Sequence, residues 1–146
     1  MGFFAHMADR QTERPTQVTR AVWLLWIALA LSVVSSVPTY FEPLPPESSV
    51  PNWSLWVVLA LVFVFWGLLT LLIGRRHNWA RITTLLLFVA GLGFWFWDPS
   101  MFSDLPTYSL ALEFIETVVT AIALYWLFTG SGASWFRTAK GPDHAL

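Results

Sequence analysis

The stretch WSLWVVLALVFVFWGLLTLLI, from Trp53 to Ile73, contains no charged residue. A bilayer core of about 30 Å requires about 20 apolar residues in an α-helix that rises about 1.5 Å per residue. This stretch therefore predicts a membrane-spanning helix. Three further stretches of similar length are also apolar: Val18 to Val37, Trp79 to Trp97 and Tyr108 to Phe128. The sequence thus predicts an all-α fold, a four-helix antiparallel transmembrane bundle over residues 18–128.

The composition agrees with this fold class. Of 146 residues, 56% are hydrophobic and 12% are charged, whereas soluble domains contain about 25% charged residues. The net charge of -1 gives no field that would attract nucleic acid, so we predict no nucleic-acid partner. The chain contains no cysteine, which excludes disulfide bonds, thiolate metal sites and dithiol redox chemistry.

The predicted spans end at residues that interrupt helices. Pro38 follows the first span, Gly74 the second and Asp98-Pro99 the third, and Pro106 precedes the fourth. Residues 1–17 are expected to form a mobile polar segment, and residues 129–146 a tail whose Trp135-Phe136 pair can enter the interface. A cleaved signal peptide ending near Val34-Ser35-Ser36 is an alternative, but the long polar leader and long apolar run argue against it.

The basic residues predict the orientation. All eight Lys and Arg residues fall on one side of the predicted spans, whereas the connections on the other side are acidic. The basic set is Arg10, Arg14, Arg20, Arg75, Arg76, Arg81, Arg137 and Lys140, and the acidic set is Glu42, Glu47, Asp98 and Asp104. Because positive loops stay inside, both termini and the GRRHNWAR turn are expected in the cytoplasm. The predicted location is a bacterial inner membrane.

Two glutamates interrupt the fourth span. From Tyr108, Glu113 lies about 7–8 Å and Glu116 about 12 Å along the helix, and both share one face with Thr117 and Thr120. A carboxylate within the membrane costs about 3 kcal/mol, so this face should turn inward. With no basic partner at this depth, burial and mutual repulsion favour protonation of at least one carboxyl group. We predict a shared proton or a captured cation.

The first span carries a matching set of hydroxyl groups. Ser32, Ser35, Ser36 and Thr39 repeat the spacing of the polar face of span four. In antiparallel helices the two faces would meet at one depth and form a polar seam. A structural seam is the interpretation that we favour over a transport site, because membrane serines and threonines commonly serve packing. Glu113 has a further alternative, in which it extends to water at the interface.

The turn between spans two and three contains residues suited to the membrane surface. We expect Asn78 to cap the third helix, Trp79 to lie at the interface, and Arg81 to extend toward lipid phosphate beside Arg75 and Arg76. His77 is interpreted as a solvated turn residue or as a headgroup contact. No span contains a histidine, and no catalytic motif is present. We therefore predict no catalytic residue, no metal site and no cofactor.

Two segments resemble parts of known proteins. RPTQVTRAVWLLW (Arg14 to Trp26) and GRRHNWARITTLLLF (Gly74 to Phe88) resemble segments of small four-span bacterial inner-membrane proteins without an assigned activity. The resemblance covers about a fifth of the chain. It implies a bacterial four-helix membrane protein and supplies no site residue.

Three functional classes are compatible with these features. The favoured class is an accessory or interaction protein that binds another membrane protein or itself, including an immunity-type protein that blocks a toxin. The alternative is a small proton- or cation-coupled carrier that uses Glu113 and Glu116. A membrane enzyme has the least support, because the acids have no partner base or nucleophile.

Overall fold

The computed structural model describes residues 14–41, 51–97 and 106–137. These ranges contain five helices and no strand: α1 Thr16–Phe41, α2 Asn52–Gly74, α3 Asn78–Trp97, α4 Thr107–Phe128 and α5 Gly130–Arg137. Helices α1 to α4 are long and apolar enough to cross a membrane, which confirms the predicted all-α, four-span fold. The acidic connections, the first 13 residues and the end of the tail lie outside the described residues.

Helices that pack together run in opposite directions. Near the start of α1, Gln17 contacts Ser131, which follows α4, and Ser32 reaches Glu116. The α1–α4 pair has the most extensive contact in the bundle, followed by α1–α2, whereas the contact between the consecutive helices α3 and α4 is small. We call the end of the bundle that contains Arg14, the α2–α3 turn and α5 the basic end.

The tightest packing lies at the basic end. Val18, Ala21, Ile73, Ala80 and Leu127 are completely buried there. Elsewhere large apolar side chains cover the outside of the bundle. Exposed examples are Leu61, Val64, Leu68, Leu86, Val89, Phe94 and Ile115. A continuous apolar exterior of this kind suits a hydrocarbon environment. The chain is therefore a multi-pass membrane protein.

Helix α1 is longer than the sequence predicts. It continues through Pro38 to Phe41, whereas the sequence predicts that the helix ends at Val37, just before Pro38. Proline has a φ that is compatible with a helix and removes only one backbone hydrogen bond. Since Pro38 lies in the last turn, the lost hydrogen bond affects only the end of the helix, which continues for three residues beyond the proline.

The tail begins with a helix that sequence patterns do not predict. Gly130 has φ +53°, a left-handed conformation that turns the chain after α4. Two residues later, Gly132 approaches α4 so closely that a Cβ there would overlap the carbonyl oxygen of Trp126. Trp135 and Phe136 are consequently buried against the bundle. The expectation that this pair enters the lipid interface is wrong.

Candidate functional site

A cavity of about 190 Å³ lies between the four long helices. Each helix contributes to its wall, and most wall residues are apolar. The lining residues are Leu25, Ala28, Leu29, Ser32, Trp66, Thr70, Thr84, Leu87, Phe88, Gly91, Leu92, Trp95, Glu113, Glu116, Thr117 and Thr120. The cavity begins within about two helical turns of the basic end, where Thr70 and Thr84 lie, and extends away from that end.

Both predicted glutamates line this cavity. Glu113 and Glu116 are half-buried on α4, and the Ser32 hydroxyl of α1 lies within hydrogen-bonding reach of the Glu116 carboxyl group. The antiparallel packing of α1 and α4 places these residues at the same depth. The structure thus brings the two polar faces together at the residue pair Ser32 and Glu116.

Three other hydroxyl groups on these faces bond within their own helices. Ser35 and Ser36 donate to the Ser32 carbonyl oxygen at 3.1 and 2.7 Å, and Thr117 donates to the Glu113 carbonyl oxygen at 2.8 Å. A carbonyl three or four residues back is always within reach of a helical serine or threonine. Thr117 and Thr120 line the cavity, whereas Ser35 and Ser36 do not. The Thr39 side chain lies outside the described residues.

Sequence reasoning missed two threonines of this cavity. Thr70 of α2 and Thr84 of α3 are almost completely buried, and their hydroxyl groups donate to the carbonyl oxygens of Trp66 and Ala80 at 3.0 and 2.9 Å. Thr70 is the single hydroxyl residue in the apolar run from Leu55 to Ile73, which was the available signal. The hydroxyl oxygens of both threonines still offer lone pairs to a ligand.

Two carboxyl groups determine the charge of the cavity, which is negative when they are ionised and zero when both are protonated. Glu113 and Glu116 are the only acids in the described ranges, and no Lys, Arg or His lines the cavity. Three aromatic rings, of Trp66, Phe88 and Trp95, contribute to its walls. Carboxylates and aromatic faces both attract cations.

Arg81 differs from its predicted position. The sequence predicts that it extends to lipid phosphate, but its side chain is only 8% exposed. Its Nη1 donates to the Leu127 carbonyl oxygen at 3.0 Å, and the guanidinium lies 4.4 Å from the Phe136 ring centre and 4.7 Å from that of Phe128. The carbonyl end of α4 and the cover of α5 together provide a site for the cation.

The remaining residues of the predicted headgroup set divide into two groups. Arg76 contacts α5, because its Nε donates to the Trp135 carbonyl oxygen at 2.8 Å and its guanidinium lies over the Trp135 ring. Arg75, Asn78 and Trp79 are exposed, and α3 begins at Asn78. Only the second group has side chains directed away from the bundle.

Gln17 provides the cap of α5. Its Oε1 accepts hydrogen bonds from the Ser131 backbone N–H at 3.0 Å, the Ser131 hydroxyl at 2.7 Å and the Gly132 N–H at 3.3 Å. The first N–H groups of a helix have no partner within it, and a side-chain oxygen commonly satisfies them. This contact joins the two ends of the described chain.

Comparison of the chain with protein-family models, with curated proteins and with solved structures finds no match. The fold and the cavity together define a multi-pass helical membrane protein that holds two carboxyl groups between its spans.

Proposed function

We propose that this protein binds a proton or a monovalent cation between its spans and acts as a small carrier. The observation that carries the proposal is the placement of Glu113 and Glu116 on the wall of a single cavity. Unpaired carboxylates within a membrane are costly, by about 3 kcal/mol each on insertion scales. A bound proton or cation would offset this cost. Exchange of a proton for a cation at the same carboxyl groups would couple the movement of one across the membrane to the movement of the other.

The walls favour an organic ammonium ion as the cation. Mg²⁺ and Ca²⁺ require six or more oxygen ligands gathered around one point, whereas nine of the sixteen lining residues are apolar, among them four leucines and two tryptophans. An apolar cavity of about 150 Å³ accepts benzene, so 190 Å³ suits a small alkyl or aryl group. The charged nitrogen would lie near the carboxylates and the apolar part against Phe88 and Trp95.

Access is expected between α3 and α4. These helices pack against each other least among the neighbouring pairs of spans. Gly91 of α3 lines the cavity, and no atom lies within 4 Å of the position that a Cβ would take there. A separation of this pair would open the cavity with little loss of packing.

Binding of phenethylammonium to the purified protein tests the proposal. We expect wild-type protein to bind it, with proton release in weakly buffered solution, and Glu116→Gln to bind at least about tenfold more weakly, because a charge-assisted contact contributes about 1.5–3 kcal/mol. Ser32→Ala should weaken binding less, and Ser36→Ala, whose hydroxyl bonds outside the cavity, serves as the matched control. Unchanged affinity in a folded Glu113→Gln, Glu116→Gln double variant would contradict the proposal.

Transport itself requires a separate measurement. Proteoliposomes with an imposed proton gradient should accumulate phenethylammonium with the wild-type protein and fail to do so with Glu116→Gln. Binding without gradient-driven uptake would exclude a carrier and retain a binding protein.

The proposed location is a bacterial inner membrane, with both termini in the cytoplasm. Gln17, Arg76 and Arg81 form hydrogen bonds with residues far away in the sequence. These bonds bring the start of α1, the α2–α3 turn and α5 to one end of the bundle. The described arginines are therefore grouped at that end, as the positive-inside rule requires of a cytoplasmic face.

An accessory role is the second candidate. Phe96 and Trp97, at the end of α3 remote from the basic end, are 86% and 87% exposed, and a partner's transmembrane helix could cover them. Co-purification in mild detergent separates the candidates. A stoichiometric membrane-protein partner would favour the accessory role, whereas protein isolated alone or as a homodimer that binds the ammonium ion would favour the carrier.

A further inference from the structure

A groove at the basic end lies apart from the carboxylate cavity. It has a volume of about 370 Å³ and is lined by Arg14, Thr19, Val22, Trp23 and Trp26. All five residues belong to α1 or the segment just before it. Helix α2 lies alongside, because Arg14 contacts Gly74 and Trp26 contacts Gly67. The groove is thus charged at the end of the bundle and becomes apolar toward its middle.

The charge of Arg14 is not neutralised by the described part of the protein. Its Nη2 lies 3.4 Å from the position of a Cβ on Gly74, so one face of the guanidinium rests on the end of α2. The only acids in residues 14–41, 51–97 and 106–137 are Glu113 and Glu116, which line the distant cavity. Loss of solvent on packing lowers the pKa of Arg14. An anion in the groove would compensate this cation.

The apolar part of the groove fits hydrocarbon. Trp26 lies about 10 Å farther along α1 than Thr19, at about 1.5 Å per residue, and its ring lies 3.6 Å from the position that a Cβ on Gly67 would take. Trp23 is 67% exposed on the outside of α1, where tryptophan rings commonly lie at the level of lipid headgroups and glycerol. A free phosphate ion would use only the arginine and leave this surface unoccupied.

We propose that this groove binds one anionic phospholipid. The phosphate contacts Arg14, the glycerol region lies near Thr19, and the first part of an acyl chain passes over Val22 and the two tryptophans. Arg20, Arg75 and Arg76 add positive charge at the same end. This charge disfavours a headgroup that carries its own cation, such as choline, and favours phosphatidylglycerol. The site shares no residue with the carboxylate cavity and does not depend on its function.

Lipid retention by the detergent-purified full chain tests the proposal. Native mass spectrometry and thermal unfolding would compare phosphatidylglycerol, phosphatidylcholine with the same acyl chains, and free glycerol 3-phosphate. Wild-type protein is expected to retain one phosphatidylglycerol and to unfold at a higher temperature with this lipid only. Arg14→Gln should weaken retention about tenfold, since charged hydrogen bonds contribute about 1.5–3 kcal/mol.

Arg20→Gln is the matched control, because it removes the same charge six residues farther along the chain, outside the groove. It should retain the lipid within about twofold, as exposed charges contribute little. Trp26→Leu keeps Arg14 and should reduce retention if the acyl chain is bound. Equal retention of phosphatidylcholine, equal stabilisation by glycerol 3-phosphate, or equal losses in Arg14→Gln and Arg20→Gln would each overturn the proposal.

Discussion

At the scale of single residues, Arg81 shows how a cation is accommodated inside the bundle. Removing an arginine from water is expensive unless its donors and charge find partners. Here the Leu127 carbonyl oxygen accepts from Nη1, and the Phe128 and Phe136 rings contact the guanidinium. Within the described residues, Nε is buried without a hydrogen-bond partner. The contacts therefore stabilise Arg81 incompletely, which makes the covering α5 important for it.

Gly132→Ala tests the close approach of α5 to α4. A Cβ would overlap the Trp126 carbonyl oxygen, and backbone atoms yield less readily than side chains. We expect α5 to shift or detach, with a loss of about 1–3 kcal/mol, as for overpacked sites. Thermal unfolding would measure the loss, and faster proteolysis near Arg137 would show detachment.

Gly91→Ala is the control for that substitution. It makes the same chemical change within α3, where no atom lies within 4 Å of the new Cβ. Its stability should stay unchanged or rise by up to about 1 kcal/mol, because alanine favours helix. Equal stability of the two variants would show that the close approach of α5 and α4 is not present in solution.

At the scale of elements, α5 depends on its contacts with the bundle. A helix of eight residues is marginal by itself in water, since nucleation is costly. Three contacts hold this one: the cap from Gln17, the bond from Arg76 to the Trp135 carbonyl oxygen, and burial of the Trp135–Phe136 pair. The docking of residues 130–137 on the bundle and their folding into a helix should therefore occur together.

Gln17→Ala removes the cap without altering α5. Amide hydrogens of Ser131 and Gly132 should exchange about fivefold faster or more, because losing such a cap costs about 1 kcal/mol. Gln17→Glu keeps the accepting oxygen and adds a charge that suits a helix N-terminus, so its exchange should remain slow. Hydrogen exchange with mass spectrometry measures both. Wild-type exchange rates in Gln17→Ala would show that the cap contributes nothing.

At the scale of the whole molecule, the two ends of the bundle differ in packing and charge. The basic end has a dense core and a covering helix, whereas the carboxylate cavity extends away from it. Dense packing at one end fixes the helices there and leaves the loosely packed α3–α4 pair free to separate farther along. This asymmetry is the physical basis for the proposed carrier.

The proposed orientation can be measured with single cysteines, since the chain contains none. His77→Cys lies in the exposed basic turn, and Thr107→Cys lies at the exposed start of α4. A membrane-impermeant maleimide should label Thr107→Cys in intact cells and His77→Cys only after permeabilisation. The reverse labelling pattern would contradict the positive-inside assignment.

The sequence by itself determined the number of spans, their approximate bounds and the shared face of Glu113 and Glu116. These features follow from hydropathy and helical period, which are properties of neighbouring residues along the chain. The all-α fold therefore agrees with the sequence to within a few residues, except where α1 continues past Pro38.

Only the tertiary structure decided which partners these residues meet. Ser32 rather than Ser35 or Ser36 lies within reach of Glu116, because the rotation of α1 about its axis depends on all its neighbours. Arg81 turned inward because α5 and the end of α4 provided an acceptor and two rings. Those contacts join residues more than 40 positions apart, and no local pattern encodes them.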